Sequence, residues 1–227
     1  MSRIAKRLKE LDKKLFDKEK SYSLDEAVAN IAKFPKVKFD ETVELHFHLN
    51  MDKKTADQLV RGTVSLPHGL GKKVRIAAFC KGEFEQKAKA AGADFVGAQE
   101  LIDKVAQGFL DFDVVVATPD MMKDLSKLGK ILGPRGLMPT PKAGTVTNDV
   151  EKAINEVKAG KIEFKSDKQF GIHVGIGKAS FPKEKILDNA KFLIEAISHA
   201  KPNNVKGEFF KSLFITTTMG PSLRVAL

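Results

Sequence analysis

The chain has no tryptophan, one tyrosine and one cysteine among its 227 residues. A single thiol, Cys80, excludes a disulfide framework and a cysteine-based zinc site. Long apolar runs are missing too. Stretches such as Val114-Val115-Val116-Ala117 fall far below the ~18 residues that cross a membrane. The N-terminus is basic but no apolar segment follows it, so no secretory signal is expected. Catalytic signatures are equally scarce: there is no G-x-S-x-G, no H-E-x-x-H and no Cys–His pattern, so no enzyme and no cofactor is expected. Acidic side chains are in deficit, 29 against 39 Lys and Arg, for a net charge of +10. With 42% apolar and 30% charged residues the chain folds, and a charge of that sign asks for a polyanionic partner. A soluble, intracellular, nucleic-acid-facing protein is the expectation.

The hydrophobic period changes along the chain. Ile4, Leu8, Leu11 and Leu15 predict a basic amphipathic helix over 3–16. Ser23 and Glu26 form a capping box that starts a second helix, running to Phe34 before Pro35. Val43, Leu45, Phe47 and Leu49 alternate with Glu44, His46 and His48, the mark of a half-buried strand. From 74 to 158 unbroken apolar strands (74–80, 95–97, 114–118) alternate with helices (84–91, 99–109, 121–132, 148–158), which predicts a parallel sheet covered on both faces. After Gly160, strands at 162–165 and 171–177 read as a hairpin, followed by a helix over 183–199 and strands at 213–217 and 223–226. The fold class expected is α+β together with α/β. A discontinuous α+β domain, 1–66 with 160–227, holds an inserted three-layer, Rossmann-like α/β domain, 67–159. The insert carries 14 basic and 12 acidic residues, so most of the positive charge lies in the discontinuous domain.

The insert lacks a dinucleotide fingerprint, because no G-x-G-x-x-G follows the strand at 74–80. Gly171–Lys178 is one residue too long for a P-loop, and Ala179 stands where a hydroxyl should. His46 and His48 share a strand face and could meet a metal, but no Cys or carboxylate cluster accompanies them, so a solvated or RNA-facing strand is preferred. Asp40-Glu41 and Asp111/Asp113 read as solvated turn residues. Gly133-Pro134-Arg135-Gly136 is a G-x-x-G loop of the kind that brings backbone N–H groups to phosphates. A surface loop stiffened by three prolines would look the same, but no carboxylate falls between Lys130 and Lys142. Thr216-Thr217-Thr218-Met219-Gly220-Pro221 offers hydroxyls for 2′-OH groups and a glycine for close approach; a plain strand end with a turn is the alternative. The segment 161–180 is basic, and Phe39 in Lys38-Phe39-Asp40-Glu41 could either stack on a base or enter the core.

Four stretches taken together carry a resemblance: 38–44, Arg61–Lys72, Leu132–Pro139 and Thr216–Pro221. In sequence and order they resemble the bacterial ribosomal protein L-one family, the first protein of the large subunit, over nearly the whole chain. The resemblance implies two domains, one inserted in the other, and a non-enzymatic role on the cytoplasmic ribosome without cofactor, metal or membrane. It implies binding to large-subunit rRNA at the base of a mobile side stalk, which meets deacylated tRNA in the exit site. It also implies repression of the protein's own mRNA through a similar RNA fold, and a monomer when free. Carried over by motif, the RNA-binding residues are Lys38, Phe39, Glu44, Lys165, Asp167, Lys168, His173, Lys178, Ser180, Ser212, Thr216, Thr218, Met219 and Gly220, with Gly133, Arg135 and Lys142 from the insert.

Overall fold

A computed structural model describes residues 20–35, 37–51, 59–202, 205 and 207–226; the helix expected over 3–16 lies outside them. Two compact units divide the chain: Met1–Gly71 with Ile162–Leu227, and Lys72–Lys161. Each has its own apolar core. That of the first is built wholly from its own residues, and the second has two, one on either side of its sheet.

In the first unit, β1 (Ser21–Tyr22) leads into α1 (Leu24–Ile31). The capping box forms as expected: Ser23 Oγ accepts from Glu26 N–H and the Glu26 carboxylate accepts from Ser23 N–H. The helix stops at Ile31, earlier than Phe34. The Phe34 N–H bonds to Ile31 C=O in a turn, and the Phe34 ring enters the core. Next come β2 (Thr42–Leu49) and β3 (Arg61–Ser65).

The second unit follows, with β4 (Ile76–Phe79), α2 (Glu83–Ala90), β5 (Phe95–Gly97), α3 (Gln99–Ala106), β6 (Val114–Ala117) and α4 (Val150–Lys158). Its three strands are parallel, in the order β5-β4-β6. Ala77 and Phe79 pack into one core with α3, while Ile76 and Ala78 pack into the other with α2 and α4. Both faces of β4 are therefore apolar, which is why its sequence does not alternate. One expectation fails locally. Residues 121–132 do not form a continuous helix: 3-10 turns (Pro119–Met121, Ser126–Leu128) alternate with single α turns (Met122–Leu125, Gly129–Leu132). Ser126 Oγ donates to Met122 C=O, and Gly129 weakens the helix further. Met121, Leu125, Leu128 and Leu132 still all reach the core. Cys80 lies buried just past the end of β4, and burial pushes its thiol up to about 11, leaving it inert.

The chain returns to the first unit with β7 (Lys161–Lys165), β8 (Gly171–Lys178), α5 (Lys183–His199), β9 (Phe210–Thr217) and β10 (Leu223–Val225). The strands β7 and β8 are not a hairpin. β7 pairs with β3 in a two-stranded sheet, whereas β8 pairs with β2. Ser166 causes the parting. Its side chain is buried, its N–H bonds to Val60 C=O, and its Oγ accepts from Val60 N–H, so the chain leaves toward β3 before it turns. The main sheet runs β1-β10-β9-β2-β8. One of its faces, carrying Val43, Leu45, Phe47, Ile172, Leu213 and Ile215, is buried in the core that includes α1 and α5. No helix among the described residues is long and apolar enough to cross a membrane.

Candidate nucleic-acid interface

Alternation places the polar residues of the main sheet on its other face. There β2 presents Thr42, Glu44, His46 and His48, β8 presents His173 and Lys178, and β9 presents Ser212, Phe214 and Thr216. Register brings them side by side: Thr42 opposite Lys178, Glu44 opposite Gly175 and Thr216, His46 opposite His173 and Phe214, His48 opposite Ser212. All are half-buried or exposed.

At one end of this face the chain builds a fixed turn. Glu41 continues the inward parity of Val43 and Leu45 and is only 5% exposed. Its Oε1 accepts from Met219 N–H at 2.9 Å and from Thr217 Oγ1 at 3.3 Å. Thr218 Oγ1 accepts from Thr42 N–H at 3.0 Å, and Thr218 N–H donates to Thr42 C=O. Thr216 Oγ1 donates to the carbonyls of Gly220 and Pro221. The threonine hydroxyls therefore set the shape of the turn. Gly220 is required there, since a Cβ would overlap Thr217 Oγ1 and press the Phe34 ring at 3.2 Å.

Of the carboxylates at 40–41, Asp40 is exposed as expected, whereas Glu41 is not a solvated turn residue. Glu41 is buried in the turn, and Asp40 accepts from Ser180 N–H at 3.1 Å and Ser180 Oγ at 2.8 Å. Lys178 Nζ donates to Thr42 Oγ1 at 3.0 Å, so Lys178 and Ser180 are both tied to the start of β2. Asp113 is likewise engaged, accepting from Lys72 Nζ at 2.7 Å and Arg75 N–H at 3.1 Å; the Lys72 bond leads in holding its carboxyl below the usual range. Lys38 and Phe39 stand just before this cluster. Phe39 is 53% exposed and does not enter the core.

The other predicted residues lie elsewhere. Lys165 ends β7, and Asp167 and Lys168 occupy the turn between it and Gly171, at the opposite end of β8, roughly 20 Å from Lys178 along an extended strand. Asp167 Oδ1 accepts from Gly171 N–H at 2.7 Å and Gln169 N–H at 2.8 Å, and the Gly171 bond leads in holding its carboxyl below the usual range. This turn also carries Phe170 at φ 64, the one positive-φ residue other than glycine among the described residues. Gly133, Arg135 and Lys142 belong to the second unit. All three are exposed in the loop that Ala117 and Val146 tie to β6. Reading by residue type missed Glu41 and Asp40. The signal for Glu41 was present, because the alternation that buries Val43 extends to it.

The face is broad and polar, and the threonine hydroxyls at its end are committed to fixing backbone shape. The chain belongs to the ribosomal protein L1p/L10e family, whose sequence model matches residues 31–221. It is 53% identical over 226 residues to the large ribosomal subunit protein uL1 of Thermosipho melanesiensis, covering 99% of this chain and 97% of that one. The same identity holds to uL1 of Thermus thermophilus, over 99% and 98% of the two chains. To uL1 of Protochlamydia amoebophila it is 53% over 227 residues, 100% and 96%.

Proposed function

We propose that this chain is a structural protein of the large ribosomal subunit that binds folded large-subunit rRNA at the base of the mobile side stalk, beside the exit site. There it assists release of deacylated tRNA, and it represses its own mRNA by binding a similar RNA structure. The observation that carries the reading is the Thr216–Gly220 turn, locked by buried Glu41 and flanked by Lys178, Ser180 and exposed Phe39. A rigid turn with a glycine at its tip suits close contact with ribose. The lysines supply phosphate contacts and Phe39 a stacking surface. The first unit, holding most of the net charge, is the main RNA binder, and Gly133, Arg135 and Lys142 of the second add contacts.

Charge and shape are separable by mutation. Lys165→Ala is expected to weaken binding modestly and make the slope of log K against log salt shallower by about 0.7–0.9 from roughly −4. Thr218→Val is expected to leave that slope unchanged while affinity falls ~5- to 150-fold, as ~1–3 kcal/mol from a lost hydrogen bond implies. The valine also removes the acceptor of Thr42 N–H, so its melting temperature falls as well. Filter binding of a stalk rRNA fragment across a salt series, with thermal melts, checks both. A Thr218→Val protein that melts lower but binds like wild type would remove the turn from the interface.

A further inference from the structure

One row of side chains crosses the open face of the main sheet from strand to strand. Register puts Arg224 of β10 opposite Phe214 of β9, Phe214 opposite His46 of β2, and His46 opposite His173 of β8. At about 4.8 Å between neighbouring strands the four span roughly 14 Å. Arg224 and His173 are exposed at the ends of the row, and Phe214 and His46 are half-buried between them. The two imidazoles share an ordinary hydrogen bond, Nδ1 to Nδ1 at 2.7 Å, with their rings tilted by 55°. Phe214 is the unusual member. Phe47, Phe170 and Phe209 of the same unit are buried in its core, and Phe210 packs against that core. Phe214 does neither, because Leu213 and Ile215 on either side of it take the inward positions. Among the described residues no aromatic ring stacks on it.

We propose that Arg224, Phe214, His46 and His173 form a stacking platform for unpaired nucleotides of the bound RNA. This rests on the rRNA-binding reading above and adds a second component to it. The Thr216–Gly220 turn meets the folded shape, and the row takes bases that have left the helix. A phenyl ring, two imidazoles and a guanidinium are the planar groups on which bases stack, and paired bases keep their faces hidden inside the helix. A protein partner is the poorer fit. An apolar surface would want apolar neighbours around the ring, yet Phe214 is bordered by Ser212 and Thr216 along its strand and by Arg224 and His46 across it. Charge agrees with a polyanion: the strands present Arg224 and Lys178 on this face against one carboxylate, Glu44. Arg224, at the exposed end, takes a flanking phosphate.

The test uses the full chain and two RNAs: the stalk rRNA fragment, and a short oligouridylate carrying one 2-aminopurine, whose fluorescence is quenched when it stacks. Saturable quenching on titration with the wild-type chain is expected. Phe214→Thr keeps a β-branched strand residue and removes the ring, so it should melt like wild type while affinity for both RNAs falls ~5- to 150-fold with the salt slope unchanged. Phe214→Tyr keeps the ring and should retain the affinity. Arg224→Gln should make the slope of log K against log salt for the oligouridylate shallower by about 0.7. A Phe214→Thr chain that binds both RNAs like wild type overturns the platform. So does one that melts lower with affinity unchanged, since the ring would then be covered by the protein itself or by a second copy. The rRNA-binding reading is judged separately, by whether the wild-type chain prefers the stalk fragment to an arbitrary duplex. If that preference stands while Phe214→Thr is silent, the platform alone is wrong.

Discussion

Glu41→Ala is expected to lower affinity for the rRNA fragment by ~5- to 150-fold while leaving the salt slope at its wild-type value. The carboxylate is buried and its Oε1 is the acceptor for Met219 N–H and Thr217 Oγ1. Removing it strands a buried donor, at ~1–3 kcal/mol, and frees the turn to leave its binding shape. Glu41→Gln keeps an acceptor oxygen toward Met219 N–H and should retain most of the affinity. That pair of variants separates positioning from charge: a loss shared equally by alanine and glutamine would mean the negative charge matters, which the geometry does not predict. Thermal melts give the stability cost, and competition binding gives the affinity.

Gly220→Ala is expected to be as severe. The new methyl has no room, because Thr217 is β-branched, buried and bonded to Glu41, so its hydroxyl cannot rotate away, and the Phe34 ring closes the other side. Overpacking of this kind costs typically ~1–3 kcal/mol. Since relief requires the turn to move, a comparable share of that energy should appear as lost RNA affinity, again ~5- to 150-fold. Gly136→Ala, in the loop of the second unit where a Cβ meets nothing within 4 Å but φ is +70, should cost backbone strain alone. Measuring both variants against the same RNA tells the main surface from the auxiliary one.

Local patterns carried most of the architecture. The alternation over Val43–Leu49 shows which face of β2 is buried, and the unbroken Ile76–Phe79 run announces a strand covered on both sides, as Ala77 and Ala78 prove by packing into opposite cores. What local pattern cannot carry is pairing between distant segments. β7 and β8 are close enough in sequence to read as a hairpin, yet β7 joins β3 because Ser166 bonds to Val60, 106 residues away. The same holds for the site. Lysines, threonines and glycine were legible as residue types suited to RNA. Their order along the chain gives no hint that Ser180 is held by Asp40, 140 residues away, or that His46 meets His173 across 127. Glu41 is the instructive case, since a carboxylate beside a turn looks solvated until its parity with Val43 is counted.

Selective recognition of folded rRNA by a preformed turn and sheet face is tested most directly by one comparison. Affinity for a large-subunit stalk rRNA fragment is measured against affinity for an arbitrary duplex of equal length, at one near-physiological salt concentration. A preference on the order of 1,000-fold for the folded fragment is expected, reduced toward the duplex value by Gly220→Ala. Equal affinity for the two RNAs, unchanged by that substitution, would contradict selective recognition and leave only a basic surface that binds any polyanion.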